Sequence, residues 1–95
     1  MIPVHVLEQF SKKLEYLITV IVEELEGKVP SKQEIRQNSS CSHQDGEYEV
    51  TWKGNKIFNA TLKEDEHGNI MGDFNLPEQF SKNKYIQEKI NQWNL

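Results

Sequence analysis

The sequence predicts a single α+β domain: a long N-terminal helix, a three-stranded antiparallel meander and a C-terminal helix (α-β-β-β-α), both helices on one face of the sheet. Three observations lead there. Apolar residues recur at helical period from Val4 to Leu25, the segments between Glu47 and Phe74 alternate apolar with polar residues, and a second helical stripe follows Pro77. The expected elements are helix 1 at 4–26, strands at 47–52, 56–63 and 70–74, and helix 2 at 78–93, within one domain spanning 1–95. A chain of 95 residues has room for one hydrophobic core.

In helix 1, Leu7, Phe10, Leu14, Leu17, Ile18, Ile21, Val22 and Leu25 fill one arc of about 140° at 100° per residue, the width of a core-facing stripe. Ile18, Val20, Ile21 and Val22 are β-branched and would suit a strand in isolation, but the helical register persists along the whole segment. Gly27 supplies a left-handed cap, and Pro30 prevents continuation. Ser31 and Glu34 have capping-box spacing, so 32–37 is expected to form a short helical turn anchored by Ile35. The polar run NSSCSHQDG at 38–46 has almost nothing to bury and reads as a surface loop.

Within the strands, Tyr48, Val50 and Trp52 share a face, as do Phe58, Ala60 and Leu62, and then Ile70, Gly72 and Phe74. Glu47, Glu49, Thr51, Asn59, Thr61, Lys63 and Asp73 fall on the other face, which gives one dry and one wet side. Residues directly opposite each other must share a face. A three-residue loop of Lys53, Gly54 and Asn55 meets that condition with Val50 against Phe58 and Tyr48 against Ala60, Gly54 or Asn55 taking positive φ. A loop from Glu64 to Gly68 then aligns Leu62 with Ile70, Ala60 with Gly72, and Phe58 with Phe74. Pro77 suits the first turn of helix 2, Ser81 is a second cap candidate, and Ile86, Ile90 and Trp93 form its narrow stripe. The hexapeptides EQFSKK at Glu8 and EQFSKN at Glu78 match by chance, because the apolar register diverges immediately after them.

The charge of -4, with 11 basic against 15 acidic residues, works against a default nucleic-acid partner, since such binding draws its strength from cations neutralising phosphates. Cys41 is the only cysteine, which excludes an intrachain disulfide framework. The opening MIPVHVLEQF lacks a signal-peptide pattern, and the apolar run from Leu17 to Val22 falls far short of the ~20 residues of a membrane span. A cytoplasmic protein without a membrane segment is expected. Asn38 and Asn59 match the glycosylation sequon, read here as coincidence.

Cys41, His43 and Asp45, with Asp65 and His67 on another loop, resemble a metal set in residue type only; the paired spacing of structural zinc sites is missing. A Cys41–His43 nucleophile pair would lack an orienting scaffold in a loop. Glu64, Asp65 and Glu66 lack the register of a calcium loop and read as a solvated turn. Neither GxGxxG nor GxxxxGK occurs. The expectation is a noncatalytic domain with no cofactor and no metal.

The strongest functional pointer is the length of helix 1. At 1.5 Å per residue it reaches roughly 30 Å, whereas strands of this length span about 20 Å. Part of its apolar stripe should overhang the sheet, and leftover apolar surface marks a protein contact. The candidate interface is Leu7, Phe10, Leu14, Leu17 and Ile21, with Tyr16 and Val20 as a second patch on the far side, and the expected partner is a second copy or another protein. Glu23, Glu24 and Glu26 crowd the negative end of the helix dipole, so Lys28, Lys32 and Arg36, or a basic partner, should compensate.

Pro3-Val4 at the start of the first helix, Tyr48-Glu49-Val50 in the first strand, and the order helix, three antiparallel strands, helix resemble the double-stranded-RNA-binding domain family. The resemblance implies phosphate contacts from the start of the last helix, here Lys82 and Lys84, and groove contacts from the first hairpin, here Lys53, Asn55 and Lys56. Acidic excess elsewhere opposes such binding, so the protein-interaction reading leads.

Overall fold

The helical period of the first segment becomes α1, Val4–Glu26, in a computed structural model that describes the backbone of residues 2–91 and the side chains of residues 2–88. Gly27 ends it in the left-handed conformation at φ 76°, its N–H donating to the Glu23 carbonyl at 2.9 Å. Buried positions on α1 run from Val20 around to Val22, an arc of about 200° at 100° per residue and so wider than the apolar stripe alone. The widening is on the side where the C-terminal helix, Lys84–Asn91, packs along α1. Lys13 is drawn into this arc, its stem buried and its Nζ 4.8 Å from the centre of the Phe74 ring.

The expected capping box forms. Ser31 Oγ accepts from the Glu34 N–H at 3.1 Å while Glu34 Oε1 accepts from the Ser31 N–H at 3.2 Å, and α2 runs over Lys32–Asn38 with Ile35 buried.

The stretch 38–46 is not a loop. Asn38 closes α2, Ser39–Gln44 form a strand, β1, and the sheet has four strands in the order β1-β2-β3-β4, all antiparallel, where three were expected. Asp45 at φ 52° and Gly46 at φ 79° make a two-residue turn of the kind that joins twisted strands. β1 pairs with β2, Glu47–Trp52, from Ser39↔Trp52 to Gln44↔Glu47. A polar strand can stand here because it lies at the sheet edge, where backbone pairing on one side holds it and its side chains need not be buried.

β3, Asn55–Glu64, pairs with Val50 opposite Phe58 and Tyr48 opposite Ala60, as the faces require. The turn, however, is two residues long: Lys53 at φ 51° and Gly54 at φ 83°, with Asn55 already opposite Trp52. A bulge at Ile57 reconciles the short turn with the hydrophobic register, and Ile57 and Phe58 are consequently both buried. β4, Ile70–Asn75, sits two residues away from its expected register, with Leu62 opposite Gly72 and Ala60 opposite Phe74. A shift of two keeps every side chain on its face, so alternation could not distinguish the registers. Asp65 in the connection decides, its Oδ1 accepting from the backbone N–H of Asn69 at 2.8 Å and of His67 at 2.9 Å. The expected Phe58–Phe74 pair is replaced by Phe10, whose ring lies 5.3 Å from Phe74 and 5.0 Å from Tyr48.

The expected helix at 78–93 is broken into α3, Glu78–Ser81, and α4, Lys84–Asn91. Asn83, not Ser81, caps the second piece, accepting from the Ile86 N–H at 3.2 Å. Phe80 and Ile86 enter the core; the side chain of Ile90 and all of Trp93 lie outside the described residues. α1 lies along β2, with Phe10 over Tyr48 at one end and Glu26 Oε1 2.7 Å from Lys53 Nζ at the other. Its overhang is confined to its ends, where Val4, Leu7 and Leu25 stay exposed. No helix among the described residues is long and apolar enough to cross a membrane.

Candidate functional site

β1 is one of the two edge strands of the sheet, β4 being the other. Gln44 and Glu47 flank a two-residue turn and therefore form a hydrogen-bonded pair, and beyond the far end of β1 the Asn38 carbonyl accepts from the Lys53 N–H at 2.7 Å. Alternation places Ser42–Glu49 and Ser40–Thr51 in the same class, so the backbone N–H and C=O groups of Ser39, Cys41 and His43 point away from the sheet. Their side chains fall on the helix-facing side, opposite Trp52, Val50 and Tyr48. β1 contains no lysine, no proline and no bulge, the devices that normally blunt an exposed edge.

Beside that edge lies an apolar groove of about 440 Å³. Its walls come from Leu14 and Ile18 of α1, Ile35 of α2 and Tyr48 of β2, and its rim carries Glu15, Lys32 and Arg36. Lys32 and Arg36 are exposed and enter no ion pair among the described residues; they stand four apart on α2, where like charges repel. Cys41 also borders the groove, and partial burial pushes its thiol up, away from the thiolate that a nucleophile or metal ligand requires. His43 stacks on Tyr48 with ring centres 4.4 Å apart. Among the described residues no group of three or more His, Cys, Asp and Glu side chains is placed to hold a metal ion. Asp65 is committed to its own turn, and the Asn69 and His67 N–H groups hold its carboxyl below the ordinary range.

The surface nominated from the sequence is mostly internal. Phe10, Leu14, Leu17, Val20 and Ile21 are buried in the chain's own core, Tyr16 is half-buried, and only Leu7, 37% exposed, remains at the surface. Tyr16 and Val20 do not form an outer patch, because α4 packs along α1 and the Tyr85 hydroxyl donates to Glu23 Oε2 at 3.4 Å, one turn beyond Val20. Of the four lysines implied by the RNA-binding resemblance, Lys53 is paired with Glu26 at 2.7 Å and Lys82 with Glu78 at 2.6 Å, leaving Lys56 and Lys84. Lys53 and Lys56 share one depression, beside Phe80, that Lys82 and Lys84 do not line. The element order, with α2 and β1 ahead of the expected meander, also departs from that family's pattern.

A buried polar atom lies on β2 across from Ser39. The Trp52 indole N–H reaches no acceptor at hydrogen-bonding geometry, although the Glu26 carboxylate is close enough to be held down by it, after the larger effect of Lys53. Compared with protein-family models, curated proteins and solved structures, the chain has no significant match.

Proposed function

We propose that this chain is a noncatalytic protein-interaction domain that takes up an extended segment of another protein as an added strand on β1. The supporting observation is the row of outward backbone groups at Ser39, Cys41 and His43, set beside an apolar groove that the chain's own helices leave open. Main-chain pairing supplies affinity in this mode, and pockets for alternate side chains supply specificity. The self-association expected through α1 gives way to this surface, because most of the α1 stripe is used internally.

The test is a selection from a phage-displayed library of random ten-residue peptides, followed by binding to the Cys41→Pro variant. The Cys41 N–H points outward, so proline there leaves the β1–β2 ladder intact while removing one donor from the edge. Peptides that bind the wild-type chain and lose binding to Cys41→Pro, with circular dichroism and thermal midpoint preserved, are the expected result. Peptides that bind both forms equally, or no selected peptides at all, overturn the reading.

A further inference from the structure

We infer that the segment taken up at β1 is acidic, with aliphatic side chains at alternate positions and an aspartate or glutamate on that same face, two residues beyond the one opposite Ser39. This rests on the strand-addition reading and says which strand the edge prefers. Side chains opposite Ser39, Cys41 and His43 in an added strand must share their face, and that face lies above Leu14, Ile18, Ile35 and Tyr48. An aliphatic side chain set down there removes apolar surface on both partners from water; a polar one leaves the groove wet.

Charge supplies the second half. α2 leads directly into Ser39, so Lys32 and Arg36 stand at the N-terminal end of the edge, four apart and without carboxylate partners among the described residues. Lys12, with Lys32, lines the adjoining depression, and Glu15 is the acid common to both. A chain with a net charge of -4 therefore turns a local excess of cations toward the groove. A carboxylate placed between Lys32 and Arg36 relieves their mutual repulsion, and the planar guanidinium of Arg36 can take it by two parallel hydrogen bonds. In an antiparallel addition this acid lies toward the C-terminal end of the segment, two residues past the one facing Ser39, because the residue between them points to the other face.

A second copy of the chain is the poorer occupant. Pairing β1 with itself would set Ser39, Cys41 and His43 of the second copy, none of them aliphatic, over the apolar groove.

The selected peptides are sequenced, and the strongest is made synthetically and titrated by fluorescence anisotropy against wild type, Lys32→Glu/Arg36→Glu and Cys41→Pro. Enrichment of Asp or Glu with alternating aliphatic residues, and roughly tenfold weaker binding to the charge-reversed variant, are expected from a rim of this charge. Peptides that are blocked by Cys41→Pro yet lack acid and ignore the charge reversal overturn the acidic-partner inference and leave strand addition standing. Peptides indifferent to Cys41→Pro overturn both. Sedimentation of the free chain supplies the remaining arm: a dimer at micromolar concentration that Cys41→Pro dissociates would place a second copy on the edge and overturn the inference.

Discussion

Two glycines at nearly the same positive φ, Gly27 at 76° and Gly46 at 79°, face different surroundings. A Cβ on Gly27 would meet nothing within 4 Å, whereas one on Gly46 would stand 3.0 Å from the Leu62 carbonyl oxygen, in a turn whose own carbonyl accepts from the Leu62 N–H at 2.9 Å. Gly27→Ala should therefore cost only the conformational penalty, about 1 kcal/mol. Gly46→Ala should cost roughly 2 to 3 kcal/mol, because backbone must also shift. Urea unfolding of the two variants measures the difference, and equal costs would show that the approach to Leu62 has no consequence. Asp45-Gly46 was also the legible sign of β1: an Asp-Gly pair is a strong short-range hairpin signal. The uniformly polar residues before it concealed the strand, since alternation of burial is the usual guide and an edge strand with both faces wet has none.

Among the elements, α2 is the one on which the proposed site depends most. At 7 residues it is too short to persist by propensity, and the Ser31–Glu34 box with buried Ile35 holds it. Ser31→Ala should lower stability by about 1 kcal/mol in urea unfolding, and a loss below a few tenths would mean that Ile35 alone is sufficient. That box, the Gly27 cap and the whole of α1 could be read from residue spacing, because local backbone chemistry specifies them. The break between α3 and α4 could not: Asn83 and Ser81 are both acceptable caps, and the burial of Phe80 and Ile86 selects between them.

At the scale of the molecule, three carboxyls among the described residues are held below their ordinary range: Glu26 chiefly by Lys53, Glu34 by the Ser31 N–H, and Asp65 by the Asn69 N–H. A depressed folded pKa contributes stability that is present above the unfolded value, near ~4, and is lost as pH falls through the folded value. The thermal midpoint should therefore change little between pH 7 and about 5 and decline below about 4. The combined variant Glu26→Gln, Glu34→Gln and Asp65→Asn should show a shallower acid decline; an unchanged slope would assign acid sensitivity to other groups.

Sequence by itself determined the α+β class, the extent of α1, the faces of β2, β3 and β4 and the absence of a recognisable catalytic motif, because periodicity and cap chemistry act over a few residues. Tertiary structure decided what those patterns leave degenerate. The β4 register, two residues from the expected one, keeps the same faces; the Ile57 bulge is fixed by fitting a short turn to a buried row; and the apolar stripe of α1 is covered from the flanks by α2 and α4. The open edge belongs to the same group, for a strand becomes an edge only when no other element packs beside it, and that depends on the placement of the whole chain.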